Sequence, residues 1–170
     1  SIQNVRAQRI ILYHMTLTGQ ASVTIRGCTV HFDSTNPPPE PPVNNGVLPW
    51  FGLGVYSPSA PLTLSSITIE SNTINVTTHS DTYPINYGLV LRGQDITETT
   101  DAGDNIQSTV LVKGNTVTCV GCIRGGLRST VTARTPTADS TPYAIRTSFI
   151  TSDNAVNVIP KTTGGGGYEF

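Results

Sequence analysis

Apolar and polar residues alternate with a period of two in four stretches of this chain, and the four stretches are copies of one another. They run from Ser22 to Phe32, Ser66 to Val76, Thr109 to Cys119 and Ser148 to Val158. Their central residues, Cys28, Asn72, Asn115 and Asn154, are spaced by 44, 43 and 39 residues. Counted from the centre, the apolar positions are −5, −3, +2 and +4. These are Val23, Ile25, Val30 and Phe32 in the first copy, and Ile67, Ile69, Ile74 and Val76 in the second. The third copy has Val110, Val112, Val117 and Cys119, and the fourth has Phe149, Thr151, Val156 and Val158. Period-two alternation in β-branched residues predicts strands with one buried face. The step from −3 to +2 is odd, so each copy is predicted to be two short strands meeting at a corner.

A third strand follows each pair after an insertion of variable length. Gly52-Leu-Gly-Val55, Gly88-Leu-Val-Leu91 and Gly121-Cys-Ile-Arg124 share a leading glycine, and Gly167-Tyr-Glu-Phe170 is a candidate fourth member. Strands held constant while connections change length describe loops projecting from a fixed scaffold. The insertion at 36–49 is proline-rich and cannot join a sheet interior. A self-similar period of this size is the mark of a repeat architecture, in which no repeat buries its inner face alone. The expected fold is therefore all-β: a right-handed parallel β-helix of about four coils, with three short strands per coil, variable loop insertions and open ends. A threonine-rich β-sandwich is the structural alternative.

The corner residues carry their own expectation. An asparagine at the same corner of successive coils can stack, each side-chain amide bonding the next, and asparagine tolerates the left-handed backbone a sharp corner asks for. Cys28 interrupts this corner ladder of Cys28, Asn72, Asn115 and Asn154, so the amide bond between the first two rungs should be missing.

Length and composition narrow the picture. At 170 residues, with 12% charged residues and a net charge of −1, the chain reads as a single β-helix domain over 1–170. It has no basic stripe to hold nucleic acid and no apolar run long enough to span a membrane. Of the three cysteines, Cys119 and Cys122 form a Cys-x-x-Cys. It lacks the further ligands of a zinc site and the helix of a thioredoxin-like site. In the register above, Cys119 replaces Phe32 and Val76, and Cys122 replaces Leu53 and Leu89. The pair reads either as two small core residues or as a local disulfide. Cys28 reads as a free, buried thiol. No metal site and no cofactor are expected. Asn75-Val-Thr77 is an N-glycosylation sequon on the outward phase of its strand, which makes Asn75 a candidate modification site.

Catalytic signatures are thin. A glycosidase needs two carboxylates flanking the bond it cleaves, whereas the acidic residues Asp95, Glu98, Asp101 and Asp104 cluster in one insertion and read as a solvated loop. His31 and His79 have no nucleophile in a recognisable motif beside them. A candidate ligand surface comprises Trp50, Tyr56, Arg92 and Arg124, near the third strands. Aromatic side chains there could stack on sugar faces, and a row of Arg92, Arg124, Arg128 and Arg134 could hold an anionic glycan. Arg124 falls in register with Val55 and Leu91, an odd place for a cation.

Taken over 22–32, 66–76, 109–119 and 148–158 with the Gly-led third strands, the chain resembles the pectin-lyase-like right-handed β-helix superfamily. Its acidic and Arg/His catalytic motifs are missing here. In character the chain is most similar to non-catalytic surface β-helix repeat proteins and to phage tailspike shafts. This resemblance implies a structural or adhesive β-helix outside the cell or on a cell or virion surface, forming a stiff shaft, a surface protein or a fibre. The alternative it implies is a polysaccharide-binding or polysaccharide-degrading β-helix. Residues 1–21 read as the connection from a third strand to the next first strand, so the two ends of the chain would continue one another in phase. The expected partners are therefore other copies stacked end to end or the rest of a longer chain, with glycans as ligands.

Overall fold

A computed structural model describes residues 1–13, 22–35, 51–61, 66–78, 87–95, 108–122, 125–133 and 147–159. The first coil comprises β1 (Ile2–Gln3), β2 (Arg6–Ala7) and β3 (Ile10–Tyr13). The second comprises β4 (Ser22–Arg26), β5 (Thr29–Asp33) and β6 (Phe51–Pro61). The third comprises β7 (Ser66–Glu70), β8 (Thr73–Thr77) and β9 (Tyr87–Asp95). The fourth comprises β10 (Ser108–Lys113), β11 (Thr116–Val120) and β12 (Gly125–Ala133), and β13 (Thr147–Ser152) and β14 (Ala155–Ile159) follow it. Equivalent strands of successive coils pair in parallel, giving sheets ordered β1-β4-β7-β10-β13, β14-β11-β8-β5-β2 and β12-β9-β6-β3. This is an open parallel β-helix of about four coils, with no helix among the described residues.

The core consists of columns, because the alternation places the same kind of residue inside each coil. Ile2, Ile25, Ile69 and Val112 form one column, continued by Thr151. Ala7, Val30, Ile74, Val117 and Val156 form a second. Phe32, Val76, Cys119 and Val158 form a third, and Ile10, Leu53, Leu89 and Leu127 a fourth. In the middle coils the residues of these four columns are buried, and each Val, Leu, Ile or Phe side chain so removed from water contributes about 1.5–3 kcal/mol.

Three readings of the sequence need correction. First, residues 1–13 are a complete coil rather than a connection. Val5 stands at its corner where later coils have Cys28 or Asn, so the repeat was not legible there. Second, the leading glycine of the third strand in the fourth coil is Gly126, not Gly121. Leu127 aligns with Leu89 and Leu53, and Ser129 with Leu91 and Val55, so neither Cys122 nor Arg124 occupies those places. The reason is steric. A Cβ on Gly52 would lie 2.7 Å from a methyl of Val76 and 2.8 Å from the Gly88 carbonyl oxygen; one on Gly88 would lie 2.5 Å from a methyl of Val117. On Gly126 it would collide with Val156. At Gly52, Gly88 and Gly126 the third sheet approaches the second sheet of the next coil too closely for a side chain.

Third, the left-handed residue at the corner is the one before the ladder residue. Asn4, Gly27, Ser71, Gly114 and Asp153 have φ of 55°, 61°, 55°, 62° and 55°. The ladder asparagines are free of that strain and are used for their side chains.

Candidate functional site

Each corner leaves one backbone group that the strands cannot satisfy. The N–H of the left-handed residue finds a backbone carbonyl in the next coil, as in Gly27 to Glu70 at 3.2 Å and Ser71 to Lys113 at 3.0 Å. The N–H of the residue after the corner finds one in the coil before, as in Thr73 to Cys28 at 2.9 Å and Thr116 to Asn72 at 2.8 Å. The ladder residue's own N–H lies between them and has only a side chain to reach. Cys28 N–H donates to Asn72 Oδ1 at 2.9 Å, Asn72 N–H to Asn115 Oδ1 at 3.1 Å, and Asn115 N–H to Asn154 Oδ1 at 3.0 Å. Each Oδ1 of Asn115 and Asn154 also accepts the Nδ2 of the asparagine before it, at 2.9 Å. The remaining Nδ2 hydrogen turns back to the coil before: Asn72 to Ile25 O, Asn115 to Ile69 O and Asn154 to Val112 O, all at 3.0 Å.

Cys28 is buried and not disulfide-bonded. Its thiol lies 3.4 Å from Arg26 O and 3.7 Å from Ile2 O, the latter being the carbonyl equivalent to those the asparagine amides take. The thiol substitutes weakly for Nδ2 but offers no oxygen, so the break in the ladder lies on its Val5 side. Toward Asn72 the backbone bond remains and only the amide–amide bond is lost.

Cys119 and Cys122 are both fully buried in the core, and they are joined to each other across a Cα separation of 5.8 Å, within the range a disulfide spans. The bond ties β11 to the short link that leads to β12. In denaturant, a thiol titration should find one reactive group per chain without reductant and three after reduction. Three before reduction would show the pair to be open.

Asn75 faces outward in the middle of the second sheet, half-buried between His31 and Thr118 in register. Tyr56 and Arg92 are direct register partners on β6 and β9. Trp50 and Arg124 lie outside the described residues. Sequence reasoning missed a contact on the same sheet: Arg128 Nη1 donates to the Tyr87 hydroxyl at 3.3 Å, and its guanidinium carbon lies 5.7 Å from the ring centre. Tyr87 is buried with Val90 in a cluster separate from the main core. Correct alignment of Gly126 with Gly88 would have revealed it, because that register sets Arg128 beside Val90. In the first coil, Arg9 stands where later coils have the glycine row, and its guanidinium carbon lies 5.9 Å from the centre of the Phe32 ring. Burial lowers its pKa from the ordinary arginine value.

The three carboxylates whose side chains are described hold structure. Glu70 pairs with Arg26 at 3.1 Å and Asp153 with Lys113 at 3.7 Å, so charges alternate along the outside of the corner. Asp33 accepts from the N–H and hydroxyl of Thr35, both at 2.9 Å. Among the described residues no group of three or more His, Cys, Asp or Glu is placed to hold a metal ion. Compared with protein-family models, with curated proteins and with solved structures, the chain matches none.

Proposed function

We propose that this chain is a structural coil stack: a non-catalytic, stiff β-helix segment of the pectin-lyase-like kind that carries its long insertions on the outside of a cell or virion. The observation that supports this best is what the polar side chains do. The buried asparagines and the exposed ion pairs Arg26–Glu70 and Lys113–Asp153 all run from one coil to another along the helix axis. Such a lattice resists bending and separation of coils. The buried Cys119–Cys122 bond favours an oxidising compartment, which fits a secreted or surface protein, with Asn75 open to glycosylation in a eukaryotic host.

A second reading has its own support. Tyr56 and Arg92 are register partners on β6 and β9, and the half-buried Arg128 contacts Tyr87 on the same sheet. Arginines on one sheet hold anionic sugars through charge-assisted hydrogen bonds. Incubating the protein with a panel of neutral and anionic polysaccharides separates the readings. The shaft predicts neither turnover nor retention, whereas release of reducing or unsaturated ends would overturn it. Retention on an anionic polysaccharide without turnover would establish the binding reading instead.

A further inference from the structure

The Cys119–Cys122 bond lies where a thiol reagent has no path to it. Both residues are 0% exposed and belong to the main core. Cys119 sits between Val76 and Val158 in register. Its sulfur is 3.6 Å from the point where a Cβ on Gly88 would stand, so a single methyl there would already touch it. Thiol–disulfide exchange needs a thiolate to approach one sulfur directly, and bringing that charge into an apolar core is strongly unfavourable.

The corner that carries the bond is held from both sides. Ser34, Thr78 and Gly121 follow directly on Asp33, Thr77 and Val120, which are paired in register. They form one series of backbone bonds from coil to coil. Ser34 N–H donates to Thr77 O at 3.0 Å, Thr78 N–H to Val120 O at 2.9 Å and Gly121 N–H to Ile159 O at 2.7 Å. In the second and third coils the chain leaves this corner on longer connections to β6 and β9. In the fourth, left-handed Gly121, with φ of 77°, turns it back at once, and Cys122 meets Cys119. A local movement that exposed the sulfurs would break the bonds to Thr78 and Ile159.

We infer that the Cys119–Cys122 bond is a lock set while the chain folds and sealed when the neighbouring coils stack. Setting it takes a small disulfide as oxidant. One cysteine thiolate attacks that disulfide, forming a mixed disulfide and releasing one thiol. The other cysteine then attacks as a thiolate, closing the protein bond and releasing the second thiol. The two electrons and two protons of the cysteines leave with the released thiols. Both attacks need a path to sulfur that the folded coils close. The redox state of the fourth coil is thus chosen at folding and kept afterwards, whether the coils serve as a shaft or as a glycan binder.

The test exposes the intact 170-residue chain to dithiothreitol in native buffer and in urea that unfolds it, then counts thiols after acid quenching and denaturation. Reduction of the folded chain should be slower by at least about a thousandfold, because it waits for an opening no more populated than that in a stable domain. In the reverse direction, a chain folded in dithiothreitol and moved to oxidised glutathione should keep all three thiols. A chain that folds only once the bond has closed would support the same order of events. A slowing short of a thousandfold, or a folded dithiol that closes in oxidised glutathione, would overturn the inference.

Discussion

Replacing Asn115 by alanine should cost about 3–5 kcal/mol, the largest loss expected from truncating any described polar side chain. Asn115 is completely buried, and its amide makes four side-chain hydrogen bonds. The methyl would leave Asn72 N–H, one Nδ2 hydrogen of Asn72 and Ile69 O without the amide they now meet, while Asn154 Oδ1 would keep only the N–H of residue 115. Each such orphan costs about 1–3 kcal/mol when water cannot reach it, partly offset as the corner relaxes. Asn154→Ala should cost less, about 1–2 kcal/mol, since Asn154 is half-buried and water can replace part of what is lost. Urea midpoints at constant slope measure both. Equal losses at the two positions would mean that the ladder does not hold the coils together.

The second large effect is expected at Gly121. Its φ is 77°, and a Cβ there would collide with the backbone carbonyl of Thr78. Gly121→Ala therefore combines left-handed strain of about 1–2 kcal/mol with overpacking of about 1–3 kcal/mol. Gly114 is the internal control. Its φ is 62°, but the nearest atom to an added Cβ is Ser71 Oγ at 3.9 Å, and Ser71 and Asp153 adopt the same conformation in their own coils. Gly114→Ala should cost only the strain, about 1 kcal/mol. A calorimetric Tm for Gly121→Ala no lower than that for Gly114→Ala would contradict the close approach of Gly121 to Thr78.

Gly121 is also where the limits of the sequence show. The first two sheets were legible because β-branched residues alternate on both sides of a recurring asparagine, a pattern that burial imposes residue by residue. The third sheet was not, because its marker is a glycine, and the fourth coil has glycines at 121, 125 and 126. Gly121 serves a turn, whereas Gly126 serves the narrow gap between sheets, and only three-dimensional neighbours distinguish them. Arg124 and Cys122 were misaligned as a result, and the Tyr87–Arg128 contact went unseen. The first coil was hidden for a related reason: with Val5 at its corner it lacks the residue that identifies the repeat. Stacked corner asparagines could be expected from the sequence, but their direction could not, because it depends on which amide hydrogen faces which coil.

Amide hydrogen exchange at the five ladder positions tests the central claim most directly. If side-chain oxygens of the next coil hold the corners, the N–H groups of Cys28, Asn72 and Asn115 exchange only through global unfolding. Those of Val5 and Asn154, which have no acceptor among the described residues, exchange faster by orders of magnitude. Equal protection at all five positions, or fast exchange at Asn72 and Asn115, would contradict the account.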